Sequence, residues 1–255
     1  MKTSNHLLRR LTAALLAAVL ALSIALPVFA SDDGDTIYIN SVSDLLSLAK
    51  SCAYDQWSVG KTVILQKDLS LEGMLWEPIP SFSGQFKGSG HTISDLTITG
   101  QYSPAGLFGI VEEQGSIESL SVRGVVSVSD SADTTTGGIV GINHGTLINC
   151  QFTGVVTGDS EVGGIVGRNE SEGTIDHSTA RAIVTGKSST GGIAGYNLGA
   201  ITGCTNVGSI NTEYQEASLD TDGFTAKMVD QINNKIAAAD DDATNSVTNV
   251  ATDTG

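Results

Sequence analysis

Four segments of the chain repeat one pattern of glycines and short apolar runs. They start at Ala105, Gly137, Gly163 and Gly191, so the starts are 32, 26 and 28 residues apart. Within each segment, short apolar runs alternate with glycine or asparagine, and no apolar stripe of helical length occurs. This pattern predicts a solenoid of short β-strands in which each unit forms one coil.

Aligning the four units places similar apolar residues in columns. Because one coil cannot bury its inner face alone, we expect these columns to point inward as continuous ladders. One ladder is predicted at Leu107, Ile139, Ile165 and Ile193. Two more are predicted at Ile117, Leu147, Ile175 and Ile201 and at Val126, Val156, Val184 and Ile210.

Two further columns contain polar or sulfur-bearing side chains. Asn143, Asn169 and Asn197 each lie six residues after the first glycine of their unit. Because stacked amides bond along a solenoid axis, we interpret them as a structural ladder, with a row of ligand-binding asparagines as the alternative. Cys150 and Cys204 align two coils apart, about 9–10 Å, which is too far for a disulfide, and are predicted to be buried free thiols.

Residues 1–30 have the pattern of a secretory signal peptide. Lys2, Arg9 and Arg10 precede an uncharged apolar run that closes on Pro27–Ala30. The run is shorter than the roughly 20 residues that span a membrane, and its small-residue ending favours cleavage over retention as an anchor. We therefore expect an exported protein, secreted or at the cell surface, without membrane insertion after cleavage.

The rest of the chain divides into four predicted parts. Residues 31–104 form an N-terminal cap and the first coils, with a helix that begins at Ser41 or Ser43 and coils that begin at Trp57. The repeats occupy 105–212. A linker and an amphipathic helix follow in 213–239, where the helix covers the last coil or, alternatively, stays free or binds a partner. The polar stretch 240–255 is predicted to be disordered.

Acidic charge limits the partners that the chain can have. The net charge is −15, and removing residues 1–30 leaves 10 Lys and Arg against 28 Asp and Glu, a net charge of −18. Phosphate backbones and anionic lipid surfaces repel such a chain, which argues against nucleic acid as a partner. We expect a monomer whose partners are extracellular glycans, matrix proteins or host proteins.

Catalytic, metal and cofactor chemistry has weak signals in the sequence. The nearest candidate group lies in a single coil, and neighbouring coils are expected to supply no carboxylate to it; its members are Arg168, Glu170, Glu172, Asp176, His177 and Arg181. We interpret it as an exposed turn. The segment Asp220–Gly223 begins like a calcium loop but lacks the later ligands. No catalytic residue, metal site or cofactor is predicted.

At its repeats the sequence resembles the GLUG repeat family of exported bacterial proteins. The matching units are Gly106–Gly109, Gly138–Gly141, Gly164–Gly167 and Gly192–Gly195, and the resemblance extends over about residues 36–212. The family is associated with cell-surface and adhesin-like proteins. It also occurs beside the protease domain of some immunoglobulin A1-cleaving metallopeptidases, but this chain lacks their zinc motif, so that activity is not implied.

These observations predict an all-β fold, a right-handed single-stranded parallel β-helix with an N-terminal capping helix and a second helix near the C-terminus. The expected function is a non-catalytic secreted or cell-surface module with an adhesion, ligand-presenting or spacer role. A carbohydrate-active β-helix enzyme, such as a polysaccharide lyase or hydrolase, is one alternative. The N-terminal fragment of a longer surface protein is the other.

Overall fold

The strands of the repeats stack in parallel and in register. The computed structural model describes residues 35–54, 56–129 and 134–211. Every strand pairing in these ranges is parallel, and strands that neighbour each other in space come from successive coils. The prediction of a parallel β-helix with a short helix near its start is confirmed.

Four sheets run along the solenoid. The first contains β1 (Thr36–Ile39), β2 (Thr62–Leu65), β5 (Gln85–Lys87), β8 (Ser116–Glu118), β12 (Thr146–Ile148), β16 (Thr174–Asp176) and β20 (Ala200–Thr202). The second contains β4 (Ile79–Phe82), β7 (Phe108–Val111), β11 (Val140–Asn143), β15 (Val166–Asn169) and β19 (Ala194–Asn197). The third contains β3 (Leu69–Ser70), β6 (Thr92–Gly100), β9 (Ser121–Val128), β13 (Gln151–Thr157), β17 (Thr179–Thr185), β21 (Thr205–Asn206) and β22 (Ser209–Ile210). The fourth is short, with β10 (Thr136–Gly137), β14 (Val162–Gly163) and β18 (Thr190–Gly191).

The double glycines occupy places where a side chain has no room. A Cβ added at Gly163 would collide with the carbonyl oxygen of Val166, and one at Gly164 would collide with the carbonyl oxygen of Gly192 in the next coil. Glycine is the residue that lets the backbone approach another backbone this closely. The repeated glycine pair therefore follows from the tight turn at the start of each coil.

The helix α1 (Val42–Ser51) follows β1 and precedes β2 along the chain. Ser41 caps it by accepting a hydrogen bond from the Asp44 N–H at 3.2 Å, as its sequence predicts. Leu45 and Leu48 are buried, and the helix contacts β1 and β4, the first strands of their sheets. It covers apolar surface where a preceding coil would otherwise lie.

The start of the coils differs from the prediction. Strand β1 precedes the helix and pairs residue by residue with β2, so the stack begins at Thr36 and not at Trp57. Ile37 and Ile39 are buried on one side of β1, the alternation of a half-buried strand. The helix is thus inserted in the chain between the first strands of the first two coils, while these strands pair directly with each other.

Candidate functional site

The predicted apolar columns lie inside the solenoid. Ile139, Ile165 and Ile193 are fully buried, and the N–H of each of the first two donates to the carbonyl oxygen of the next, at 2.9 and 3.0 Å. Leu147 pairs with Ile175, which pairs with Ile201. Leu147 and Ile175 are fully buried, whereas Ile201 in the last described coil is half-buried. These residues fill the interior and are not available to a ligand.

The asparagine column forms a chain of side-chain amide hydrogen bonds. Asn143 Nδ2 donates to Asn169 Oδ1 at 2.8 Å, and Asn169 Nδ2 donates to Asn197 Oδ1 at 2.8 Å. Asn143 and Asn169 are fully buried, and Asn197 is half-buried. Each amide also bonds a backbone carbonyl of the turn that follows it. The geometry is that of a structural ladder, because every bond runs within the protein.

The cysteine column is buried and unreactive in character. Cys150 and Cys204 are buried free thiols, with Ser178 between them. The Cys150 N–H donates to Ser178 Oγ at 3.1 Å, and the Ser178 N–H donates to Cys204 Sγ at 3.4 Å. Burial raises the pKa of the Cys150 thiol to about 12 and raises the pKa of Cys204 as well. A nucleophilic or redox cysteine requires the opposite shift.

The titratable group predicted in one coil does not form a single cluster. Arg168 turns toward Glu161, and its Nε donates to Glu161 Oε2 at 2.7 Å while its Nη2 bonds Glu161 Oε1. Glu170 lies 3.6 Å from Arg168 Nη1 on the other side. Asp176 pairs instead with the adjacent His177, with 2.8 Å between Oδ1 and Nδ1.

One carboxylate joins this group that the prediction from sequence did not include. Glu161 lies directly before β14, seven residues ahead of Arg168, and also accepts a hydrogen bond from the Thr135 hydroxyl of the preceding coil at 2.9 Å. The Arg168 guanidinium lies over the Tyr196 ring, 5.5 Å from its centroid. The carboxylates of Glu161 and Glu170 are thus bound to one guanidinium, and the arrangement joins three successive coils.

A polar groove follows the corner between the first and third sheets. At this corner Ser119, Asn149 and His177 stand one above another with φ of 53°, 52° and 46°, a left-handed conformation that turns the chain sharply outward. Two residues later, Ser121, Gln151 and Thr179 pair in register and point outward. We call the space between these two rows the corner groove; its volume is about 270 Å³.

Arg181 also lines the corner groove. It pairs in register with Thr153, which pairs with Arg123 one coil earlier, so these three residues make a third outward row. Sequence reasoning placed His177 and Arg181 in an exposed turn and did not detect the rows that accompany them. The missed signal is the recurrence of Ser, Asn and His at a position just before the buried Cys150 column.

Several predictions fall outside the described residues. These are the signal peptide at 1–30, the C-terminal linker and helix at 213–239, the tail at 240–255 and the calcium-like segment Asp220–Gly223. Among the residues that the structure describes, no group of three or more His, Cys, Asp or Glu side chains is placed to hold a metal ion. Within those same ranges no helix is long and apolar enough to cross a membrane.

The fold and its columns define the protein as a parallel β-solenoid built from glycine-led coils. The family model described as the GLUG motif matches residues 158–185, which include the unit that begins at Gly163. The chain therefore carries a GLUG motif, and the resemblance found in the sequence is confirmed.

Two relatives and one solved structure are similar to the chain. Halomucin of Haloquadratum walsbyi is 32% identical over 155 residues, 56% of this chain. A candidate Gly-rich membrane protein of Evansella cellulosilytica is 30% identical over 137 residues, 39% of this chain. The chain spans 2% of the first relative and 16% of the second. The structure of a candidate immunoglobulin A1 protease from Bacteroides ovatus aligns with a TM-score of 0.42 and 16% identity, covering 81% of this chain and 88% of that one.

Proposed function

We propose that this protein is a non-catalytic module of an exported protein, located outside the cell, that presents the outer faces of its solenoid to an extracellular ligand. The partner is a glycan, a matrix protein or a host protein, and the module acts as a monomer. The observation that carries the proposal is the register of the coils. It repeats outward polar side chains such as Ser121, Gln151 and Thr179 at a constant spacing.

Rigidity supports a presenting role. The interior is filled by apolar ladders, and the buried amides of Asn143 and Asn169 link adjacent coils. Because the strands of each repeat coil bond to those of the next in all four sheets, the outer rows hold their positions without a ligand. A surface that is ordered in advance loses less conformational entropy when it binds.

An extracellular location is supported by independent features of the chain. The signal-like residues 1–30 predict export, and the excess of acidic residues suits a protein that remains dispersed in solution. The GLUG motif and the printed name of the Evansella relative, which refers to a membrane, agree with a location at or beyond the cell envelope.

The test is an array of glycans and matrix proteins probed with residues 31–255. Saturable binding to an arrayed ligand supports the proposal, and absence of binding to every arrayed ligand contradicts it. The same protein is incubated with pectin-like polymers, and reducing ends are measured. Their release would replace the proposal with a carbohydrate-active enzyme, for which the pair Glu161 and Glu170 around Arg168 is the first group to substitute.

A further inference from the structure

We propose that the corner groove is a binding site for a neutral, extended glycan whose chain runs parallel to the solenoid axis. The inference rests on the proposed function, and it specifies the ligand class and the residues. Six side chains form the two rows of the site: Ser119, Asn149, His177, Ser121, Gln151 and Thr179.

The spacing of the rows fits a polymer of sugars. Equivalent residues of successive coils are hydrogen-bonded strand neighbours, so they lie about 4.8 Å apart. An extended glycan advances by a similar length for each ring. A sugar can therefore meet the same pair of rows in every coil, and three coils offer three equivalent positions.

The chemistry of the lining fits sugar hydroxyls. Ser121 and Thr179 carry hydroxyls, and Asn149 and Gln151 carry amides; both kinds of group donate and accept hydrogen bonds, as sugar hydroxyls do. One such bond already exists inside the row, where Asn149 Nδ2 donates to Ser119 Oγ at 3.3 Å. A ligand hydroxyl that meets this row finds donors and acceptors side by side.

The charge of the whole chain favours a neutral ligand over a polyanion. His177 lies 2.8 Å from the Asp176 carboxylate, which offsets its charge when the ring is protonated. The net charge of −15 for the chain repels an anionic polymer before it reaches the groove. Arg181 at the side of the groove is a donor in a fixed fork, and a guanidinium bonds vicinal sugar hydroxyls as well as anions.

The backbone at this corner is already paired, which disfavours an extended peptide. The N–H groups of Ser119, Asn149 and His177 donate to carbonyl oxygens of the following coils at 2.9, 3.0 and 2.9 Å. A peptide that binds by adding a strand needs such groups unpaired. Side chains, not backbone, remain to contact the ligand, and the rows contain no large apolar side chain to anchor a peptide.

The corner is held in shape by the column below it. Gly203 continues the left-handed corner in the next coil with φ of 63°, and the His177 ring packs over it, so that a Cβ added there would lie 3.0 Å from the ring. The imidazole thus lies against the corner of the next coil, at one end of the groove.

The experiment uses residues 31–255 and neutral β-linked glucan and xylan oligosaccharides of two, four and six sugars, measured by titration calorimetry. Affinity should rise from two to four sugars and change little at six, because the groove spans three coils. The double variant Asn149→Ala, Gln151→Ala should weaken binding by about tenfold, since each lost hydrogen bond contributes a factor of a few. Thr157→Ala is the matched control, because Thr157 lies on the same strand as Gln151 but outside the groove.

The outcomes separate the two proposals. If neutral oligosaccharides do not bind while the array reports a matrix protein, the groove inference is overturned and the proposed function stands. The inference is also overturned if the double variant keeps its circular dichroism spectrum and binds the oligosaccharides as tightly as the Thr157→Ala control does. It is overturned as well if polygalacturonate or a peptide competes for the groove more strongly than the neutral sugars. Absence of any ligand on the array overturns both.

Discussion

The buried amide ladder makes a sharp prediction about stability at Asn169. This residue is fully buried and takes part in three hydrogen bonds. Its Oδ1 accepts from Asn143 at 2.8 Å, and its Nδ2 donates to Asn197 Oδ1 at 2.8 Å and to the Gly173 carbonyl oxygen at 3.2 Å. The substitution Asn169→Val removes all three bonds and leaves a side chain of similar width.

Valine is the informative replacement because the solenoid already contains it in this column. Val111 pairs in register with Asn143, one coil before the ladder begins. The turn after Asn169 closes through the Gly173 N–H, which donates to the Glu170 carbonyl oxygen at 2.8 Å, and the turn after Val111 closes in the same way. Valine at 169 therefore fits the backbone, and the substitution isolates the loss of the amide bonds.

The expected cost follows from the groups that lose a partner. The buried Asn143 amide loses the acceptor of one N–H and keeps the Gly145 carbonyl for the other, at a cost of about 1–3 kcal/mol. The buried Gly173 carbonyl keeps the Ala200 N–H at 2.9 Å and loses its second bond, at about 0.5–1.5 kcal/mol. Burial of the valine methyl groups offsets about 1–2 kcal/mol of this. Asn197 is half-buried, so its freed Oδ1 turns to water. The net destabilisation is about 1–2 kcal/mol, or a Tm lower by roughly 2–8 °C.

The assay is urea unfolding of residues 31–255 followed by far-UV circular dichroism, with Asn197→Val as the control. The control takes the acceptor from one Asn169 N–H but keeps the bonds of Asn169 with Asn143 and Gly173, so it should cost less than Asn169→Val, which loses all three bonds. Asn143→Val combined with Asn169→Val should cost less than the sum of the single changes, since the two residues share one bond. The reasoning is refuted if Asn169→Val unfolds within about 0.5 kcal/mol of the unmodified protein, or if Asn197→Val costs as much.

Four further predictions concern the interior, a buried thiol and the corner. In urea titrations, Ile165→Ala should lower the free energy of unfolding by about 2–5 kcal/mol and the half-buried Ile201→Ala by less than half as much; equal costs would contradict the assignment of the two side chains to a buried and a half-buried position. At pH 8 iodoacetamide should alkylate Cys150 at least about 100-fold more slowly in folded than in urea-unfolded protein, because burial raises its pKa from 9.0 to about 12. Because the pKa of Cys150 is higher in the folded than in the unfolded protein, the protonated thiol contributes stability that is complete below pH 9 and is lost as the pH rises toward 12. Over this pH range the urea midpoint of the unmodified protein should therefore fall more than the midpoint of Cys150→Ala. At Asn149, with φ of 52°, glycine should change the Tm by no more than a few degrees and valine should lower it clearly, because a β-branched residue is strained in this conformation.

The interior columns could be predicted from the sequence because each coil requires the same type of side chain at the equivalent interior position. Ile139, Ile165 and Ile193 share a chemical type as well as a position, so alignment of the units brings them together without any knowledge of the backbone. The amide ladder was visible for the same reason. Identical residue type, repeated at a constant offset, is sufficient when the structure is a stack.

The start of the stack was harder to predict because the helix interrupts it. Strand β1 carries no glycine-led unit, and its partner β2 follows only after the helix and a loop. Nothing in the local pattern of Thr36–Ile39 states that its neighbour in space lies 26 residues further along the chain. Pairing across such an insertion is a long-range property, which short-range periodicity does not record.

The corner groove illustrates the opposite limit, where one backbone geometry accepts several residue types. A left-handed φ is shared by Ser119, Asn149, His177 and Gly203. Their side chains differ in size and chemistry, so aligning the sequence of the units does not show that they are equivalent. Glycine and asparagine are the residues that most often adopt such a conformation, and serine gives no signal of it. Glu161 was missed for a related reason, since it lies in the part of the unit that varies in length, where alignment of the repeats is least certain.

The division between what could and could not be predicted coincides with the division between inside and outside. Inside the solenoid, each side chain contacts the equivalent side chains of the coils before and after it, so stacking dictates the residue types at Ile165 and Asn169. Outside, at Gln151 or Arg181, the stack fixes only the position and leaves the chemistry of the side chain open. Selection for ligand binding can change the residue type only at positions where stacking does not dictate it. The outward rows beside the corner are such positions, and we therefore expect them to determine the binding specificity of this solenoid.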